Sequence, residues 1–165
     1  MHAIVDAPPR LFVIDTPSAT AVDLGCEYEL HVNADGGSRL AVLSGRVELE
    51  GHGQRSIVPA GMWSITQPGR GPSVPVDRRA TPALITALER LDQEPTMLAM
   101  LLRQADRPDA VTLWHLLSRT DGDARKAVYS RLQELVPAPV DEAAALALDP
   151  AALDEWWRAC LAARG

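Results

Sequence analysis

The chain has 165 residues, a mass of 17.8 kDa and a formal net charge of −6, with 47% hydrophobic and 23% charged residues. That length suits one ordinary domain or two small ones, and the balance excludes a disordered, collagenous or low-complexity chain. Lys126 is the only lysine among 16 basic residues, against 22 acidic ones. An acidic chain without a basic stripe is a poor nucleic-acid binder, because phosphate contacts dominate that affinity. No apolar run approaches the roughly 18–20 residues that span a bilayer. No basic segment followed by an apolar core marks a signal peptide.

In chain order, the first half reads as strands and corners. Nine of the 11 glycines fall in residues 1–80. Short Val-, Ile- and Thr-containing runs separated by Gly, Pro, Asn or Asp predict strands over 11–14, 19–24, 27–32, 39–43, 46–50, 55–58 and 62–67. Residues 27–32 alternate apolar and polar side chains, as do 46–50, so each has one wet and one buried face. Asp35-Gly36-Gly37 predicts a turn, Ser44-Gly45 a tighter corner and Pro59-Ala60-Gly61 another turn. Strands this short with corners this frequent suggest a compact sandwich, barrel or solenoid. Residues 68–80, rich in Pro and Gly, predict a linker or an irregular strap packed on the β part.

Beyond the strap the hydrophobic period becomes helical. Thr81 and Pro82 are placed as N-cap and first helical residue, followed by Leu84, Ile85, Leu88 and Leu91. Further helices are expected over 94–105, from Pro108-Asp109 through Leu117, over 123–136, weakly over 141–148, and from the Asp149-Pro150 cap through Leu161. The fold class expected is α+β, with an all-β domain over 1–77 and an all-α domain over 78–165.

No catalytic constellation is visible. His2 is terminal, His31 lies on the polar phase of its strand, His52 sits at a turn tip and His115 lies inside an otherwise apolar helix. There is no Gly-x-Ser-x-Gly elbow, and Gly51-His52-Gly53 and Gly69-Arg70-Gly71 lack the spacing of a phosphate loop. No Cys-x-x-Cys is present, so neither a metal nor a cofactor is expected. His115 is a candidate ligand or pH-sensing group. A helix-face histidine that caps a carbonyl or lies half exposed is the stronger reading, because no second ligand-type residue recurs at the right spacing. Cys26 is expected in the core, where free cysteine is most often found, while Cys160 lies far from it in the other half and a single bridge between the two stays open. The rings of Trp156 and Trp157 point about 100° apart on a helix. One is expected to anchor that helix, and the other to pack internally or meet a partner. Trp63, on a strand, is the best candidate for a stacking platform.

Thr16-Pro17, Ala21-Val22, Gly25-Cys26 and Tyr28 form a spaced pattern, which continues through Leu30-x-Val32, residues 40–45, Val47 and Val58-Pro59-Ala60-Gly61. This pattern, covering about a third of the chain, resembles the FecR domain. Its glycines Gly25, Gly45 and Gly61 each sit at a corner where φ > 0 or close backbone approach is expected. The resemblance implies a β-solenoid or twisted double sheet in the periplasmic part of a membrane-anchored protein that regulates a sigma factor. It also implies another envelope protein as partner, while charge and hydropathy argue against nucleic acid and against a membrane span in this chain. No membrane helix, cytoplasmic segment or sensor domain of the family's kind is read here. The chain is then either a portion of a longer protein or one that works differently. The function expected is a non-enzymatic cell-envelope signalling or interaction module. The alternative is a small-ligand or glycan-binding β module that uses Trp63.

Overall fold

The computed structural model describes residues 2–4, 13–15, 19–23 and 27–164. Two compact units divide the chain, Met1–Arg78 and Arg79–Gly165. Among its described residues the first holds ten short strands: β1 (His2–Ile4), β2 (Val13–Asp15), β3 (Thr20–Asp23), β4 (Glu27–Val32), β5 (Ser38–Ser44), β6 (Arg46–Gly51), β7 (Gln54–Pro59), β8 (Met62–Gln67), β9 (Gly71–Pro72) and β10 (Val76–Asp77). They form a six-stranded sheet ordered β1-β4-β5-β8-β10, with β9 also on β8, and a four-stranded sheet ordered β2-β3-β6-β7. Every pairing is antiparallel. The solenoid expectation is therefore corrected, because the coils of a β-solenoid stack as parallel neighbours. Alternation of apolar and polar residues identifies a face, but it does not identify which strand lies alongside.

The chain changes sheet at glycine. β5 belongs to the six-stranded sheet and β6 to the four-stranded one, with Gly45 alone between them. It crosses back between β7 and β8 through Ala60 and Gly61. Gly45 has φ 71° and Gly61 φ 77°, values that cost an L side chain roughly 1–2 kcal/mol. The two corners are bonded together: Ala60 N–H donates to the Gly45 carbonyl and Gly61 N–H to that of Val42, both at 2.9 Å. The crossing from β3 to β4 contains Gly25 and Cys26, which lie outside the described residues.

Tyr28, Leu30, Leu40, Val42 and Met62 from the six-stranded sheet, with Ala21, Val47, Leu49 and Val58 from the other, make the buried layer. The strap after β8 is more ordered than its Pro and Gly content suggests, since β9 and β10 both pair with β8. Its centre is Ser73. The Ser73 carbonyl accepts from Ser56 Oγ of β7 at 2.7 Å and from Ser64 Oγ of β8 at 2.9 Å. Both of those hydroxyls belong to fully buried residues, one from each sheet. Two-residue strands beside proline are edge pieces, which a period-2 search does not find.

The second unit holds α1 (Pro82–Arg90), α2 (Met97–Gln104), a 3-10 turn (Arg107–Asp109), α3 (Ala110–Arg119), α4 (Gly122–Leu135), α5 (Glu142–Leu146) and α6 (Pro150–Ala163). The predicted caps close its helices: Thr81 Oγ1 accepts from Leu84 N–H at 3.2 Å, and Asp149 Oδ1 from Ala152 N–H at 2.9 Å. α2 begins three residues later than the spacing predicts, after a turn through Pro95 and Thr96. α3 packs on α4 and α6, and α5 touches both α4 and α6. Arg125 of α4 closes the end of α3, donating from Nε to the Leu117 and Thr120 carbonyls at 2.9 Å and from one terminal nitrogen to that of Leu146 at 3.1 Å. A cation at a helix C-terminus satisfies carbonyls that have no intrahelical partner.

Gly71 combines φ 72° with a Cβ position only 2.4 Å from the Gly51 carbonyl oxygen, whereas Gly69 at φ 77° has no atom within 4 Å of its Cβ position. Gly71→Ala is expected to cost about 3 kcal/mol by urea denaturation followed by circular dichroism. Gly69→Ala is expected to cost about 1 kcal/mol. Equal losses would remove the close approach as the cause.

Candidate functional site

The six-stranded sheet has one buried face and a second that is exposed at Glu29, His31, Arg39 and Leu43, half-buried at Ala41, Trp63 and Ile65, and buried at Val76. Along β4, β5 and β8 the residues alternate except at the strand ends Val32 and Ser44, which are exposed, with Tyr28, Leu30, Leu40, Val42, Met62 and Ser64 inward. The register therefore sends Glu29 and His31, Arg39, Ala41 and Leu43, and Trp63 and Ile65 to the other side. Trp63 pairs with Ala41 and Val76, while Arg39 sits between His31 and Ile65. Trp63 is half-buried, and the Arg39 guanidinium lies 4.4 Å from its ring centroid. That is a cation–π contact on an open sheet face. The ring face covered by Arg39 is closed to a stacking sugar. Leu43 is 38% exposed, which places a large aliphatic group in solvent beside this pair.

The other candidate residues lie in the helical unit, and the structure does not gather them with Trp63. His115 of α3 is buried, and its Nδ1–H donates to the Val111 carbonyl one turn back at 2.8 Å. Its ring stands edge-on to Trp114 at 4.9 Å and to Trp157 at 5.6 Å between centroids. Trp114 and Trp157 are 4.8 Å apart, and Trp114 Nε1–H donates to the Leu153 carbonyl at 2.9 Å. Trp156 is fully buried, donates from Nε1 to the Val136 carbonyl at 3.0 Å, and meets Tyr129 edge-on at 5.4 Å. Both Trp156 and Trp157 are therefore core residues, and neither presents its ring to a partner. The physical reason is that α6 lies against both α3 and α5, so the buried stripe of α6 spans both directions.

The site residue missed by sequence reasoning is Arg39. Nothing local marks it, because its relation to Trp63 exists only through the β5–β8 register. Among the described residues, no three His, Cys, Asp or Glu side chains gather in a way that suits a metal ion, and no helix is long and apolar enough to cross a membrane. Burial pushes the Arg119 guanidinium below its ordinary value, with Asp92 acting in the opposite direction. Burial also pushes the Cys160 thiol up to about 12. Comparison with protein-family models, with curated proteins and with solved structures finds no match.

Trp156→Ala is expected to lower stability by about 3–5 kcal/mol, through lost burial and a cavity. Trp63→Ala, half-buried, is expected to cost less than about 1.5 kcal/mol. Unfolding of purified variants in guanidinium measures both. Cys160 makes a second expectation. Its thiol keeps its proton in the folded state while an unfolded thiol ionises near 9.0, so the folded state binds more protons between those values. Stability is then unaffected below pH 9 and falls by up to about 1.4 kcal/mol per pH unit above it. Cys160→Ala removes that contribution, and the difference between the two stability–pH curves from pH 8 to 11 reads it directly.

Proposed function

We propose that this chain is a non-enzymatic interaction module of the bacterial cell envelope, resembling the periplasmic part of a FecR-type membrane-anchored regulator of a sigma factor. The observation that carries the interaction reading is the open face of the six-stranded sheet. Trp63, Ile65 and Leu43 stand there among polar neighbours instead of in the buried layer. An aromatic anchor flanked by aliphatic groups and an arginine has the composition of a protein-contact surface. The FecR-type and envelope parts of the reading rest on the spaced pattern from Thr16 to Gly61. The positive φ of Gly45 and Gly61 accords with the turn role of glycine in that pattern. The β unit is the part that meets the partner, and the helical unit supplies a second body whose aromatic residues are spent on its own core.

The test replaces Leu43 with the photo-crosslinker benzoylphenylalanine and exposes the full chain to the native bacterium's envelope fraction. One discrete adduct is expected, identifiable by mass spectrometry and abolished by Trp63→Ala. The same crosslinker at Arg46, on the four-stranded sheet, is expected to trap nothing. The absence of an adduct at position 43, or identical adducts at both positions, would sink the proposal.

A further inference from the structure

The open sheet face has a chemical character more specific than exposed apolar area. Its row His31–Arg39–Ile65 and its row Glu29–Ala41–Trp63–Val76 lie side by side. Among the described residues, Arg39 makes the contact with the Trp63 ring and no ion pair or hydrogen bond, and neither His31 nor the Trp63 indole N–H has a hydrogen-bond partner. Other arginines of this chain hold carboxylates: Arg55 holds Glu48, Arg90 holds Glu94, Arg131 holds Glu134 and Arg158 holds Asp154. Arg39 is stacked instead. A cation held by a ring spends none of its N–H donors, so the Arg39 guanidinium keeps the donors that can receive a carboxylate with two hydrogen bonds. Trp63, Ile65 and Leu43 beside it exclude water from such a pair and so strengthen it. Glu29 shares the face but lies in the neighbouring row, opposite Ala41.

We infer that this face recognises an acidic peptide segment, with one Asp or Glu carboxylate seated on the Arg39 fork and adjacent aliphatic side chains on Trp63 and Ile65. The inference rests on the interaction reading above and names the partner's chemistry. Glu29 repels a second carboxylate on its own row, so the acid is directed to the His31–Arg39 row. The apolar neighbours favour a peptide over a bare anion or a nucleic-acid strand, whose contacts are mostly to charged phosphates.

The probe is a synthetic octapeptide alternating Glu and Val, compared with its Gln counterpart and with an oligothymidine strand of equal length. Binding is read on the isotope-labelled full chain from the Trp63 indole N–H resonance, assigned by its loss in Trp63→Phe. The Glu peptide is expected to shift that resonance saturably and to bind about tenfold more tightly than the Gln peptide, the size of one charge-assisted hydrogen-bonded contact. Arg39→Gln is expected to erase that preference. Arg39→Lys retains part of it, because the charge stays and the fork is lost. Arg46→Gln, the same change of charge on the other sheet, leaves it intact. Equal binding of the Glu and Gln peptides, an unchanged preference in Arg39→Gln, no shift with any peptide, or tighter binding of oligothymidine would each overturn the inference. The two readings fail separately. A partner trapped at position 43 without any Glu preference leaves the interaction reading standing alone. Glu-selective binding with no envelope adduct leaves acidic recognition standing and removes the envelope partner.

Discussion

The β unit depends on one backbone constraint: a chain that leaves one sheet for another must keep its hydrogen bonds paired through the corner. Gly45 and the Ala60–Gly61 turn meet that constraint jointly, each supplying a group the other bonds, with φ values an L side chain resists. The corners also set the phase of the next strand. β8 leaves Gly61 with Ser64 opposite Leu40, which places Trp63 opposite Ala41 on the open side. A slip of one residue would send Trp63 into the layer held by Leu40 and Val42 and bring Ser64 out. The character of the open face is thus decided at two glycines that are not part of it.

The two units accommodate buried polar groups in different ways. The β unit uses small hydroxyls against one carbonyl, with Ser56 and Ser64 converging on Ser73, and Ser38 paired with Thr66 at 2.7 Å. The helical unit uses long side chains that reach helix ends. Trp114 and Trp156 each donate an indole N–H to a carbonyl, and Arg125 fans across three. In each case the buried polar atom is matched, so it specifies an arrangement instead of costing its full desolvation penalty.

What could be read from the sequence was what is local. Period-2 alternation located β4 and β6, though Glu48, expected on the wet face, is buried and Val32, expected inward, is exposed, and cap residues at Thr81 and Asp149 located α1 and α6. Each of these signals lies within a few residues of its own effect. The lack of a second ligand-type residue near His115 pointed to a helix histidine that caps a carbonyl or lies half exposed; it bonds the Val111 carbonyl and is buried. The antiparallel arrangement was not readable, because alternation does not name the neighbouring strand. The stacking of Arg39 on Trp63 depends on the same long-range register. For Trp156 and Trp157, spacing supplied the angle between the rings but not the number of helices packed around them, and that number put both inside.

The Ser73 carbonyl has a bearing on how the β unit is made. The strap is the last part of that unit to leave the ribosome, and it brings the acceptor that two buried hydroxyls from different sheets require. Until it arrives, Ser56 and Ser64 face each other across a layer with no common acceptor. Closure of the β unit is therefore tied to the strap having left the ribosome, which comes only after synthesis has run well past residue 77. A nascent chain halted at the end of β8 would hold two sheets that can form their ladders but not yet lock to one another.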